Sequence, residues 1–208
     1  MPAISAFAAA STYSDPAGDA QGGPDVTKVV IDGVPATRTI TFAVTVPGYL
    51  PSSPRGVEQY VDVWLDTDRN DRTGDPEDGT EYDLSAGNDS TGAWMAAARW
   101  NGRKWEPLPD SPTRTFTRNG DVLSWTINTR DLGGASSFDF YILAGTWDTA
   151  AERDIAQDYA PNGDYWWAYD LFAVKPVIGK PIAVAPQRPV SPSPSSSRSH
   201  GVTTGSRF

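Results

Sequence analysis

Apolar and polar residues alternate through most of the middle of the chain. Between Arg38 and Val46, Ile40, Phe42, Val44 and Val46 fall on one side, while Thr39, Thr41 and Thr45 fall on the other. Between Val57 and Leu65, Val61, Val63 and Leu65 alternate with Tyr60, Asp62 and Trp64. Between Ser137 and Trp147, Phe138, Phe140 and Ile142 share one side. A period of two is that of an extended strand with one face buried. Val26 to Ile31 and Trp166 to Val174 carry shorter runs of the same kind and are predicted as the first and last strands.

Two turns are written plainly. Trp100-Asn101-Gly102-Arg103 and Arg118-Asn119-Gly120-Asp121 each place Asn-Gly between strand-like flanks, and Asn-Gly tolerates the positive φ of a tight hairpin turn. Ala93–Trp100 is therefore predicted to pair with Lys104–Pro107, and Thr113–Arg118 with Val122–Asn128. No segment sustains a helical repeat; the best helical candidate is the short stretch from Thr149 to Ala156. Many short strands separated by turn signals predict an all-β fold, an antiparallel two-sheet β-sandwich of the jelly-roll-like kind.

The ends read differently. Residues 1–14 are small and apolar without a basic start, so they are expected to be a leader or the remnant of a secretion signal. Loop is expected from Met1 to Pro24. The sandwich module is expected over residues 15–176. Residues 177–208, rich in Pro and Ser, are expected to be a linker or tail, because such sequence buries too little apolar surface to offset chain entropy.

Composition removes several classes of function. The formal net charge of −9 argues against a nucleic-acid partner, since that binding needs clustered Lys and Arg. No run approaches the ~20 apolar residues of a membrane span, so no membrane insertion is expected. The chain has no cysteine, which removes disulfides, thiolate metal sites and thiol nucleophiles. Its one histidine, His200, lies in the Ser/Gly-rich tail, so histidine-based triads and metal sites are not expected either.

The acidic residues cluster. Asp66-Thr67-Asp68-Arg69-Asn70-Asp71-Arg72-Thr73-Gly74-Asp75 places oxygen side chains at alternate positions, a spacing that can curl around a hard cation. Asp66, Asp68 and Asn70 fall at the first, third and fifth positions of an EF-hand-like loop. Arg72 could lend its carbonyl at the seventh, and Glu77 falls at the twelfth. Asp71 stands where that loop needs Gly, and the flanks are a strand and Pro76 in place of helices. The reading is thus a strand-to-loop calcium site in which Asp75 or Glu81 closes the shell; an acidic turn without a metal uses the same residue types. A second candidate gathers Asp15, Asp19 and Asp25 around Gly18, Gly22 and Gly23. A third patch, Asp154, Asp158 and Asp164, could complete one of these sites from across the fold, or be solvated.

Three runs, Asp15 to Val26, Leu65 to Asp75 and Gly79 to Leu84, carry a resemblance. The chain resembles the calcium-stabilised β-sandwich accessory modules of secreted actinobacterial proteins, which are often appended to glycosidases or peptidases. It is more distantly similar to carbohydrate-binding and glucodextranase-type accessory sandwiches. The likeness spans Asp15 to Val174. It implies an extracellular, secreted module attached to a larger protein, with no catalytic residue of its own.

The chain carries 8 Trp and 8 Tyr, whose flat faces suit the C–H faces of sugar rings. A sandwich core also holds buried Trp. Trp166 and Trp167 are adjacent on a strand and must face opposite ways. Trp167 is chosen first as an exposed stacking residue, and Trp105, next to the Asn101-Gly102 turn, second. Glu58, Asp62, Glu81, Asp83 and Asp139 are the carboxylates a glycoside hydrolase would draw on, but no spacing singles out an acid and a base. The expectation is a non-catalytic calcium-binding module with polysaccharide as its partner. The alternatives are a structural or adhesive spacer and, less favoured, a hydrolase.

Overall fold

Alternation along the chain becomes two antiparallel sheets packed face to face. The computed structural model describes residues 10–20, 22–50, 52–163 and 165–173, with the backbone of 182 and 183. The smaller sheet runs in the order β1 (Ser11–Ser14), β2 (Lys28–Val34), β3 (Thr39–Thr45), β9 (Val122–Asn128), β8 (Thr115–Asn119). The larger sheet runs β13 (Ile182–Ala183), β12 (Tyr165–Asp170), β10 (Ser137–Asp148), β4 (Val57–Asp66), β5 (Tyr82–Asp89), β6 (Gly92–Trp100), β7 (Trp105–Pro107). The later half of β10 pairs β11 (Arg153–Ala160) on the edge where its first half pairs β12.

Between the sheets lie the alternating apolar residues. Ile40, Phe42 and Val44 of β3 face Val61, Val63 and Leu65 of β4 and Phe138, Phe140 and Ile142 of β10, all fully buried. Phe42 bridges the layers, with ring centroids 5.7 Å from Phe138 and 6.2 Å from Phe140. Both Asn-Gly hairpins form, as β6–β7 and β8–β9.

Three expectations need correction. Ser11–Ser14 is a strand where loop and leader were expected. Tyr13 enters the core, 5.0 Å from Phe140 and 5.3 Å from Trp167 between centroids, and its hydroxyl donates to the Ala168 carbonyl at 2.7 Å. The helical candidate Thr149–Ala156 is a turn followed by strand β11, because its residues complete the edge of β10 and bury Ala156 and Ala160. Trp167 is fully buried against Phe140 and Tyr13, so it is a core residue and not a stacking platform. The tail expected over 177–208 lies outside the described residues, except that the backbone of Ile182–Ala183 pairs with Tyr165 and Trp166.

Candidate functional site

The outer face of the larger sheet is set by strand parity. On β4, Tyr60, Asp62, Trp64 and Asp66 point outward, opposite Gly145, Leu143, Tyr141 and Asp139 of β10. Asp83 and Glu81 continue that face next to Trp64, and Trp100 and Trp105 complete it beyond. The chain leaves this face at Asp66, makes the loop 67–81 and returns at Glu81, whose N–H donates to the Leu65 carbonyl at 2.9 Å. Gly74, at φ 72, shapes the loop: a Cβ there would sit 2.4 Å from the Gly79 carbonyl oxygen.

At the mouth of this loop, carboxylate oxygens of Asp66, Asp68 and Glu81 lie within 4.8 Å of one another. Asp66 is buried, and burial, with Glu81 and Asp68 nearby, pushes its carboxyl up to about 7 despite hydrogen bonds from the Asn70 and Arg69 amides. Glu81 is raised by burial too; one of its oxygens accepts from Thr67 N at 2.7 Å, and the other, Oε1, is buried without a hydrogen-bond partner. Asp68 accepts from the Thr73 hydroxyl through both oxygens, at 2.9 and 2.8 Å. Arg69 holds φ 58, an uncommon conformation for a side-chain-bearing residue, and reaches Asp139 at 3.3 Å and the Tyr169 carbonyl at 2.9 Å.

The predicted ligand set is therefore partly brought together. Asp66 and Asp68 join Glu81, one of the two residues expected to close the shell. The Asn70 side-chain oxygen accepts from the Arg72 N–H at 3.3 Å, and Arg72 is exposed. Asp75 instead accepts from the Trp105 indole N–H at 2.9 Å and from Glu77 N at 2.8 Å. Glu77 is exposed and outside the cluster. The third carboxylate of the cluster, Glu81, comes from the residue just before the returning strand β5 and not from a helix.

A second cluster joins the two sheets. Oxygens of Asp15 and Asp19, from the segment after β1, lie within 4.8 Å of each other and of Asp158 on β11. Asp158, from the third patch, thus completes the site from across the fold, whereas Asp164 lies outside the described residues and Asp154 accepts from the Tyr60 hydroxyl at 2.7 Å. Asp25 stands beside the cluster rather than in it: one oxygen accepts from Gly18 N at 2.9 Å, and the other is buried without a hydrogen-bond partner. Asp15 is 8% exposed. Its Oδ1 accepts from Asn162 N at 3.2 Å, while Oδ2 is buried without a partner. Burial, with Asp158 and Asp19, pushes Asp15 up to about 7; burial likewise pushes Asp158 up to about 6, against a hydrogen bond from Val26 N at 2.6 Å.

No family model, curated protein or solved structure matches the chain.

Both clusters fit a hard divalent cation. Every donor is an oxygen, and a buried carboxylate oxygen lacking a hydrogen-bond partner is one that a cation would satisfy.

The outer face also holds an aromatic run that sequence reasoning did not assemble. Tyr159 and Tyr141 stack at 26° with centroids 6.3 Å apart, and Tyr141 and Trp64 at 14° and 6.2 Å. Trp64 then meets Trp105 edge-on at 5.1 Å, and Trp105 meets Trp100 at 5.7 Å. Trp105 is half-buried here, the one predicted stacking residue on this surface. Tyr141 alternates with Phe140 and Ile142 on β10, so parity alone could have found it.

Proposed function

We propose that the chain is a non-catalytic, calcium-stabilised β-sandwich that serves a secreted protein as a carbohydrate-binding accessory module. The observation that carries calcium is Asp15: a buried carboxylate with one oxygen lacking a hydrogen-bond partner, pressed against Asp19 and Asp158. Like charges so close resist ionisation unless a cation sits among them. Calcium takes six to eight oxygens, so backbone carbonyls and water would complete each shell around the three carboxylates. In this role Asp15, Asp19 and Asp158 hold the β1–β2 connection against β11. Asp66, Asp68 and Glu81 pin the 67–81 loop. Polysaccharide as the ligand class rests on the partly exposed rings of Trp64, Trp100, Trp105 and Tyr159 on one face.

The test is thermal unfolding with millimolar calcium against chelator. A cation that binds only the native state at a hundredfold excess over Kd stabilises by about 2.7 kcal/mol. The melting temperature should rise by several degrees, and Asp15→Asn should remove most of the rise. An unchanged melting temperature in the wild type would remove calcium from the account. Release of reducing ends from a polysaccharide would instead support the hydrolase.

A further inference from the structure

The outer face of the larger sheet combines two chemistries. The first is the run of rings from Tyr159 through Tyr141 and Trp64 to Trp105, which crosses β11, β10 and β4 and ends on β7. Tyr159, at 45% exposed, is its most open member. The second is acid. Outward strand positions hold Glu58, Asp62, Asp83 and Asp139, and among the described residues none of these positions holds a lysine or arginine. Arg69, from the loop, is engaged with Asp139.

The rings are held in place by that loop. The Tyr141 hydroxyl donates to Asp78, and the Trp105 indole donates to Asp75 at 2.9 Å. Each hydrogen bond fixes a ring whose polar atom would otherwise seek water, so the plane is set before a ligand arrives. A face so built offers flat apolar rings in an acidic field, with Glu58 and Asp62 buried beneath it and Asp83 and Asp139 half-buried. Its complement is a flat, C–H-faced molecule free of negative charge.

We propose that this face is the ligand surface, with Tyr159 and Trp105 as contact residues, and that its ligand is a hydroxyl-rich polysaccharide without acidic groups. The proposal rests on the carbohydrate reading and narrows it to one face and one class. The rings stack on sugar faces, and the negative field of the carboxylates favours neutral or amine-bearing sugars. Uronic or sulfated polymers are repelled by the same carboxylates.

The experiment is retention of the full chain on insoluble β-glucan, on chitosan and on cross-linked polygalacturonate. Wild type should be retained by glucan or chitosan and pass through polygalacturonate; these arms separate neutral from amine-bearing sugars. Tyr159→Ala and Trp105→Ala keep the net charge, so they also separate ring contact from ion exchange on chitosan. Each should weaken retention tenfold or more. Val34→Ala, at a 45% exposed position on the smaller sheet, should leave it unchanged. Should Trp105→Ala unfold, Tyr159→Ala carries the test alone. Wild-type retention that survives Tyr159→Ala, or that is equal on polygalacturonate, overturns the face or the class while leaving carbohydrate binding intact. A wild type held by none of the three overturns the carbohydrate reading, and this inference with it.

Discussion

Asp15 concentrates the chemistry of the N-terminal cluster in one carboxyl. Its ordinary pKa is near 4, and burial with Asp158 and Asp19 beside it raises that to about 7. Between these two values the folded chain keeps a proton that the unfolded chain has released. Stability from this group is therefore fully present below about pH 4 and is lost as pH rises through about 7. Asp66, also raised to about 7, and Asp158, raised to about 6, act in the same sense. In chelator, the urea midpoint should fall as pH rises from 5 to 8; with saturating calcium the fall should shrink or vanish. A chelated protein that gains stability over that range would contradict the assignment. Trp167 is instructive in the opposite way. Alternation told that Trp166 and Trp167 face apart, but not which side was core. The partners Tyr13 and Phe140 decide it, and they come from strands distant in sequence.

Strands were legible wherever one face met the core and the other met water. β3, β9 and the inner side of β10 read directly, and Asn-Gly marked both hairpins. β11 was not legible, since in Arg153–Ala160 the buried positions are Ala156, Asp158 and Ala160 while the larger Ile155 and Tyr159 are exposed, and the strand gains its identity only from the open edge of β10. Of the carboxylate cluster at the 67–81 loop, Asp66 and Asp68 share a local spacing that the sequence displays; Asp158 joins Asp15 and Asp19 only through the fold. β1 was missed because four residues, Ser11–Ser14, carry too little pattern, although Tyr13 is among the largest fully buried side chains. A protein begun at Asp15 would lack those four strand residues. It should melt well below the full chain, since losing a buried aromatic costs about 3–5 kcal/mol. An unchanged melting curve would make β1 dispensable.

Across the whole molecule the two outer faces differ in kind. On the smaller sheet, threonines such as Thr41 and Thr126 hydrogen-bond to each other at 2.9 Å; on the larger, rings and carboxylates share the surface. The N-terminal cluster ties the two layers together, because Asp15 follows the edge strand β1 of one sheet and Asp158 belongs to β11 of the other. Those two residues come from opposite ends of the described chain, so their site cannot exist until both sheets have docked. If the proposed calcium binds only once that docking is complete, its interaction is absent at the folding barrier and acts on the way out. Folding rates should then be nearly equal with calcium and with chelator. Unfolding with calcium should be about a hundredfold slower if the full 2.7 kcal/mol falls on that step, which stopped-flow measurements in urea would resolve. Wherever proteases attack the opened state, such a late-closing clasp would set how long the folded chain survives.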